Sequence, residues 1–252
     1  MSYIRPVRFQ PTCLQVLCSK AYMEQVICVL RKHRHYISDA VCLRVLRKQI
    51  GDYFRESVAK SVREELIRFG SSLIQKENWS AIRDFLVPDL LVPFLYVFYS
   101  PDIRYLELPV LVRSVDRVTV LDLLNNVGTP GGHDLEQMKL RMFERSDISV
   151  EEGYLVKRVL RGFFNVRSLT LWKVCDNAML QIIGVTCRQL ELLDIWKSIA
   201  VTDSGVSMFL GLEAEKPFRV CSTLKKILIK DTSITDRGAF QFLFWCLKLE
   251  VL

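Results

Sequence analysis

The sequence lacks any hydrophobic run long enough to form a membrane-spanning helix. Such a helix needs about 20 consecutive apolar residues, whereas the longest candidate, Phe85 to Tyr99, is interrupted by Asp89 and by two prolines. The first residues of the chain contain arginines and a proline but no apolar core, so they do not read as a secretory signal peptide. We therefore expect no membrane insertion, and a location in the cytoplasm, the nucleus or both.

Motifs that carry catalytic chemistry are also missing. The sequence has no G-x-S-x-G elbow and no metal-ligand spacing, and its glycine-rich stretch at 128–132 lacks the lysine of a phosphate loop. None of the eight cysteines forms a C-x-x-C pair, and the three histidines complete no zinc pattern. We expect no enzyme, no metal, no cofactor and no small-molecule substrate. The cysteines should be reduced and should serve as small buried apolar residues.

The positive charge is concentrated at one end of the chain. The formal net charge is +7, and residues 1–76 hold 14 Lys and Arg against 6 Asp and Glu, so the whole excess lies there. A basic region can bind nucleic acid, an acidic phospholipid surface or an acidic protein. These residues follow helical patterns without interleaved aromatics or a nucleic-acid motif, which favours solvated helix faces over nucleic-acid binding.

One short pattern, L-x-x-L-x-L, recurs near the end of the chain. It begins at Val166, Leu190 and Leu224, and starts again at Leu249. The starts lie 24, 34 and 25 residues apart, and the long step carries an insertion near 213–217. A period of this length with leucines at its head is typical of a leucine-rich repeat. The pattern predicts parallel strands at about 167–171, 191–195, 225–229 and 249–252.

A second set of positions recurs in the same register. Cys187, Cys221 and Cys246 each stand three residues before the first leucine position of the next pattern. The segments V-T-D-S-G and I-T-D-R-G match one another, and they predict that Asp203 and Asp236 cap the helices that follow. These helices should cover 206–212 and 239–246.

These residues resemble the cysteine-containing class of leucine-rich repeats, which ubiquitin-ligase receptors often carry. The resemblance implies an α/β fold in which an N-terminal α-helical region precedes a leucine-rich repeat solenoid with a parallel sheet on its concave face. We expect the repeat array to span residues 88–252. Because Leu252 falls in mid-repeat, the array is expected to be incomplete at its C-terminus.

The region between 100 and 166 gives weaker signals. The patterns beginning at Ile103 and Val118 predict two earlier strands of the same array, and the apolar spacing predicts helices over 135–143 and 151–163. The gap from Val118 to Val166 leaves two alternatives open. Either one degenerate repeat lies within it, or a loop interrupts the array.

The first 87 residues are expected to form a helical region. Apolar spacing predicts one helix from Thr12 to about residue 35 and a second over 39–49. A third should begin near Asp52 and stop at Gly70, and a short fourth should cover 80–86.

The first two of these helices carry a second resemblance. Leu14-x-x-x-Cys18-x-x-x-Tyr22 is similar to the Elongin-binding box of von Hippel–Lindau-box proteins, with Leu17 on the same helix. Ile37 and Val41 stand at the distance where that family begins its cullin-binding helix. The two resemblances together are typical of the Zyg/Zer group of cullin-RING ligase receptors, and they imply Elongin C, Elongin B and a cullin as partners. The alternative, that the helix only caps the solenoid, stays open.

The strand pattern also predicts a recognition surface. Residues between the leucines have the opposite parity and should face away from the core. Trp172 and Trp196 occupy the same place in successive repeats, so they should lie side by side, as tryptophans at binding hot spots often do. The expected binding residues on this face are Thr170, Trp172, Asp194, Trp196, Leu228 and Lys230.

The sequence therefore favours a non-catalytic, protein-binding subunit, namely a substrate receptor of an Elongin-linked ubiquitin ligase that recognises a protein substrate. Two alternatives are a leucine-rich repeat scaffold without a ligase link, and a nucleic-acid or phospholipid adaptor that uses the basic N-terminal third.

Overall fold

The computed structural model describes residues 11–32, 40–81, 90–100, 102–108, 114–127, 134–141, 148–212 and 218–252. The chain forms two compact units, Met1–Phe98 and Tyr99–Leu252. We call them the N-terminal unit and the C-terminal unit. The division lies eleven residues beyond the boundary expected from the sequence, so the apolar segment that ends at Phe98 belongs to the N-terminal unit.

Most of the described residues of the N-terminal unit are helical. Its elements are α1 (Pro11–Lys32), α2 (Ala40–Leu46), a π-helical turn (Arg47–Gly51), α3 (Asp52–Ser57), α4 (Lys60–Ala81) and α5 (Leu91–Phe98). Helix α1 packs against α4, and α4 packs against α5. The core side chains include Met23 and Ile27 of α1, Ile67 of α4 and Phe94 of α5. The two predicted helices from Thr12 and over 39–49 are confirmed, although the second passes into the π-helical turn.

Two of the predicted helix boundaries in this unit are wrong. The helix from Asp52 breaks at Val58, where the backbone is extended (φ −107°, ψ 126°). The next helix, α4, then runs through Gly70 without stopping. A Cβ at Gly70 would lie 2.3 Å from the Phe94 ring, so the glycine lets two helices approach closely and does not end one. Of the short helix expected over 80–86, the first two residues belong to α4 and the rest lie outside the described residues.

The C-terminal unit contains a five-stranded parallel sheet. Its strands are β1 (Tyr105–Glu107), β2 (Gln137–Arg141), β3 (Ser168–Trp172), β4 (Leu192–Asp194) and β5 (Lys226–Leu228), and they lie side by side in chain order. The strands predicted near 168, 192 and 226 are confirmed. The fourth, over 249–252, is reduced to a single parallel bridge between Val251 and Lys226.

Helices alternate with these strands, as parallel neighbours require a crossover connection. They are α6 (Ser114–Val127), α7 (Val150–Leu160), α8 (Asn177–Thr186), α9 (Asp203–Leu210) and α10 (Asp236–Trp245). A 3₁₀ turn (Arg219–Ser222) precedes β5. Each helix packs against the next one in the chain. The unit is therefore a mixed α/β structure in which strand and helix alternate.

Two of the predicted elements between 100 and 166 have the opposite type. The residues from Val118 lie in α6 and not in a strand, because Val120, Leu121 and Leu124 are buried at helical spacing. The segment expected to be helical over 135–143 contains β2. Leu135, Met138 and Leu140 are buried there, in the same pattern as in β3. The gap thus holds a degenerate copy of the pattern, as one of the two alternatives proposed.

The caps of α9 and α10 lie one residue before the predicted positions, and the helices begin three residues before the predicted bounds of 206–212 and 239–246. Thr202 and Thr235 are the capping residues, while Asp203 and Asp236 are the first residues of α9 and α10. The helix predicted over 151–163 is α7, which begins after Ser149. Ser149 and Glu152 form a reciprocal capping box there.

Seven of the eight cysteines are described, and they differ in burial: Cys42 is half-buried, and the other six are either buried or exposed. Cys175, Cys187, Cys221 and Cys246 are free and buried, as expected. Burial raises the pKa of Cys187 to about 12, so this thiol stays protonated at neutral pH. Cys18 and Cys28 on α1 are exposed. For these two, the prediction of a buried apolar role is wrong.

Candidate protein-binding surface

One face of the sheet carries a continuous row of apolar side chains, one from each strand. Leu106, Met138, Leu169, Leu193 and Ile227 pair in register across the five strands, and each is at least 99 % buried. Successive side chains of a strand point to opposite faces, so this row belongs to the core. The alternate residues form the other face, which we call the mixed face because it carries apolar, aromatic and charged side chains.

The mixed face is also ordered in rows. The strand pairing sets Thr170 between Lys139 and Asp194, with Glu107 and Leu228 at the two ends of the row. The Nζ atom of Lys139 lies 3.2 Å from Oε2 of Glu107, so these two charges neutralise each other. A second row consists of Tyr105, Gln137, Ser168, Leu192 and Lys226.

Trp172 and Trp196 lie in contact on this side of the sheet. Their ring centroids are 4.2 Å apart and the rings meet at 62°, edge to face. Both side chains remain partly exposed. The predicted juxtaposition of the two tryptophans is therefore confirmed.

Trp196 is held by polar groups on several sides. Its indole Nε1 donates to Oδ2 of Asp231 at 2.9 Å, and its backbone N–H donates to Oδ1 of Asp194 at 3.1 Å. The ammonium groups of Lys197 and Lys230 lie 5.0 and 5.9 Å from the ring centroid, within the range of cation–π attraction. The indole ring is thus fixed in place and framed by positive charge.

A repeated backbone turn positions this cluster. Lys173 directly follows β3, whereas Lys197 and Asp231 lie three residues beyond the ends of β4 and β5, and all three adopt left-handed conformations with φ near 60°. Such a conformation is uncommon for residues other than glycine. Neighbouring turns are linked, because Lys173 N donates to the Trp196 carbonyl and Lys197 N donates to that of Lys230. The sequence reasoning missed these turns, although the Trp-Lys dipeptide at both 172–173 and 196–197 marks the first two.

The remaining predicted residues of the mixed face differ in accessibility. Thr170 is only 8 % exposed, so it contributes little surface for a partner. Asp194 and Leu228 are half-buried, and Lys230 is exposed. Apart from Thr170, the predicted residues of this face are therefore at least partly accessible, and Lys230 is the most exposed of them.

The predicted N-terminal box lies on α1 and α2. Cys18 and Tyr22 are exposed on α1, Tyr22 at 47 %, while Met23 and Ile27 of the same helix are in the core. Val41 on α2 is 60 % exposed.

The other residues of the box are less fully described. For Leu14 and Leu17 the structure describes the backbone, which is helical. Ile37 lies outside the described residues.

No protein-family model matches this chain, and no curated protein is significantly similar to it in sequence. Among the described residues, no group of three or more His, Cys, Asp and Glu side chains is arranged to hold a metal ion. Within the same residues, every helix is too short or too polar to cross a lipid bilayer. The geometry of the two surfaces therefore carries the functional argument.

Proposed function

We propose that this protein is a non-catalytic substrate receptor of an Elongin-linked cullin-RING ubiquitin ligase. In this proposal the C-terminal unit is a cysteine-containing leucine-rich repeat solenoid whose mixed face is concave and binds a protein substrate. The N-terminal unit binds Elongin C, with Elongin B and a cullin completing the ligase.

The observation that carries the proposal is the tryptophan pair. A tryptophan ring that stays accessible on a sheet exposes a large apolar area, and tryptophan is enriched among residues that dominate binding energy. Asp231 holds the ring of Trp196 in one orientation, so little conformational entropy is lost when a partner docks. A preorganised aromatic pair of this kind favours a binding function over a purely structural one.

The solenoid assignment rests on the order of the elements. The strands follow one another in chain order, and each helix packs on its successor. An array of stacked strand–helix repeats has this nearest-neighbour pattern. The buried Cys187, Cys221 and Cys246 recur at one place in successive patterns, as in the class that the sequence resembles.

The Elongin assignment rests on the exposed stripe of α1. Cys18 and Tyr22 lie four residues apart on a helix, so their side chains share one side of it. This side is exposed, whereas Met23 and Ile27 pack into the core. An exposed cysteine and tyrosine in the positions of the Elongin-binding motif are therefore accessible to a partner.

The receptor would act through proximity and not through chemistry. Holding a substrate near a ubiquitin-transfer enzyme raises the effective concentration of the reacting groups. This requires two independent binding surfaces on one chain.

That independence provides the test. The tagged protein is expressed in cells, and co-captured Elongin C and other proteins are quantified by mass spectrometry. Leu14→Ser with Cys18→Phe should remove Elongin C and retain the substrate, whereas Trp172→Ala with Trp196→Ala should do the reverse. If the wild-type protein captures substrate proteins but no Elongin C, the chain is a scaffold without a ligase link. If both double variants lose the same proteins, the two-surface account is wrong.

A further inference from the structure

The tryptophan pair of the mixed face is surrounded by charged side chains of both signs. The ammonium groups of Lys197 and Lys230 lie 5.0 and 5.9 Å from the centroid of the Trp196 ring. Asp231 accepts a hydrogen bond from the indole Nε1 of the same tryptophan at 2.9 Å, and Asp194 accepts one from its backbone N–H at 3.1 Å. The two cations therefore approach the ring, whereas each of the two carboxylates accepts from a donor of Trp196.

The charges of the wider surface have a positive balance. Lys139 and Glu107 form an ion pair, so their charges cancel. The other charged side chains described on the mixed face and at its left-handed turns are four lysines and two aspartates, namely Lys173, Lys197, Lys226, Lys230, Asp194 and Asp231. Four positive and two negative charges leave a net charge of +2. A surface of this sign is complementary to a negatively charged partner.

A cationic ligand does not suit this arrangement. Cations bind tryptophan when they lie over the ring within about 6 Å of its centroid. Lys197 and Lys230 already hold such positions, and the centroid of the Trp172 ring lies 4.2 Å from that of Trp196. A further cation would meet two ammonium groups of its own charge. The tryptophan pair is therefore unsuited to a basic segment or a quaternary ammonium group.

A single-stranded nucleic acid is also poorly matched. Such a ligand stacks successive bases on open aromatic faces while its phosphates follow a positively charged groove. Here the two rings meet at 62°, edge to face, so the pair does not present two parallel platforms to neighbouring bases. The carboxylates of Asp194 and Asp231 beside the ring would also repel phosphates. These observations favour a polypeptide, whose charges can be placed at chosen positions.

We propose that the mixed face binds an acidic segment of the substrate, in which an apolar side chain contacts Trp172 and Trp196 while flanking Asp or Glu carboxylates pair with Lys197 and Lys230. The inference rests on the proposed function, because it names the class of substrate that this face recognises. Side chains on one side of an extended peptide are about 6.5–7 Å apart, close to the distances between the ammonium groups and the ring. The carboxylates therefore stand within about two residues of the apolar side chain.

The apolar and the charged contacts depend on each other. An apolar side chain that covers the tryptophans removes water from the neighbouring ammonium groups, and this costs free energy unless a counter-charge arrives with it. A flanking carboxylate supplies that charge, and the exclusion of water strengthens the ion pair. A segment that has only the apolar residue, or only the acidic residues, should therefore bind more weakly than one that has both.

Selection from a library of random short peptides, displayed on phage and presented to the full chain, tests the ligand class. A parallel selection on the variant that combines Trp172→Ala with Trp196→Ala identifies the peptides that bind elsewhere. Peptides that bind the wild type alone should be enriched in Asp and Glu within about two residues of a large apolar residue, compared with the unselected library.

The charge pairs are then tested by reversal, with a selected peptide titrated by fluorescence anisotropy. Lys230→Glu should weaken binding about 3- to 30-fold, because an opposite-charge pair becomes a like-charge pair, and Lys197→Glu should act in the same direction. A peptide in which Lys replaces the acidic residue should bind the Lys230→Glu protein more tightly than the wild type. Lys20→Glu, an equal charge change at an exposed position of α1, is the matched control. Lys230 is also exposed, so its replacement should leave thermal unfolding unchanged.

The possible failures can be told apart. Tryptophan-dependent peptides without enrichment of Asp and Glu would overturn the acidic class, while the proposed binding role of the mixed face would stand. The absence of any tryptophan-dependent peptide would overturn both, as it would if another segment of the chain covered the face. Oligothymidine that displaces the selected peptide and binds more tightly would make the ligand a nucleic acid. Equal binding by the Lys230→Glu and Lys20→Glu proteins would also contradict the proposal.

Discussion

At the scale of single residues, the neighbours of Trp196 hold its side chain in one orientation, which would favour the proposed binding role. Asp231 orients the indole, Trp172 contacts one edge, and Lys197 and Lys230 approach the ring. The same contacts give Trp196 a structural contribution as well. Variants of Trp172 and Trp196 should therefore be measured both for partner binding and for the free energy of unfolding.

Trp172→Ala or Trp196→Ala should reduce the affinity for the partner by about 2 kcal/mol or more, the hot-spot range. Each substitution should lower the free energy of unfolding by only about 1 kcal/mol, because an edge-to-face aromatic pair contributes about 0.5–1.5 kcal/mol. Trp245→Ala on α10 is the matched control, since it removes an exposed tryptophan away from the pair. If the double alanine variant bound its partner normally, the binding surface would have to lie elsewhere on the protein.

Glu191 should make the stability of the C-terminal unit depend on pH. The hydrogen bond from Lys225, supported by the charges of Lys225 and Arg167, holds the pKa of Glu191 below its ordinary value. Stabilisation from a lowered carboxylate pKa is present above the ordinary value of about 4.3 and is lost as pH falls through the folded-state pKa.

Glu191→Gln removes this titration. The unfolding free energies of the wild type and the variant should therefore differ at pH 7 and converge as pH falls below about 4. Urea titrations at several pH values measure the difference. If the difference in unfolding free energy stayed constant down to pH 3, the ion pairs of Glu191 with Lys225 and Arg167 would contribute nothing to stability.

The sequence predicted the tryptophan pair but not the accessibility of its neighbours. Equal spacing within a repeating pattern is enough to place Trp172 beside Trp196. The burial of Thr170 depends on the side chains that flank it on β2 and β4, which spacing alone does not specify. The left-handed turns at Lys173 and Lys197 escaped notice because lysine carries no preference for that conformation.

At the scale of elements, Gly70 and Gly153 both lie within helices, but replacing them by alanine should change the stability in opposite directions. A Cβ at Gly70 of α4 would overlap the Phe94 ring at 2.3 Å, whereas a Cβ at Gly153 of α7 would find Met179 Cε at 3.9 Å. Gly70→Ala should destabilise the fold by about 1–3 kcal/mol through overpacking. Gly153→Ala should stabilise it by about 0.5–1 kcal/mol through helix propensity. Thermal unfolding of both variants checks the pair, and equal effects would contradict the packing explanation.

The elements that the sequence reasoning assigned wrongly share one cause. The residues from Val118 fit a strand pattern by three leucine-type positions, yet the additional apolar Val120 and Leu124 complete a helical stripe. In β2, Met138 stands where the other strands have leucine or isoleucine, and the flanking residues allow a helical reading. Short apolar runs fit both periods, so packing against the neighbouring elements decided both cases: α6 packs against α7, and β2 pairs with β1 and β3.

At the scale of the whole molecule, the two units divide the proposed work. Cys18 and Tyr22 on α1 are exposed and are the residues proposed to bind Elongin C, and Trp172 and Trp196 on the mixed face are partly exposed and are those proposed to bind a substrate. Each surface is carried by regular elements whose opposite sides are packed into a core. Binding sites on such elements stay preformed in the absence of the partner.

The central claim is the link to the ligase, and calorimetric titration of the purified protein with purified Elongin B–Elongin C complex tests it most directly. We predict one-to-one binding with a dissociation constant of about 1 µM or tighter. Leu14→Ser with Cys18→Phe should abolish it. Cys28→Phe, which places the same ring at another exposed cysteine of α1, should bind normally. Absence of binding by the wild-type protein at about 100 µM, or equal loss in the Cys28→Phe control, would contradict the account.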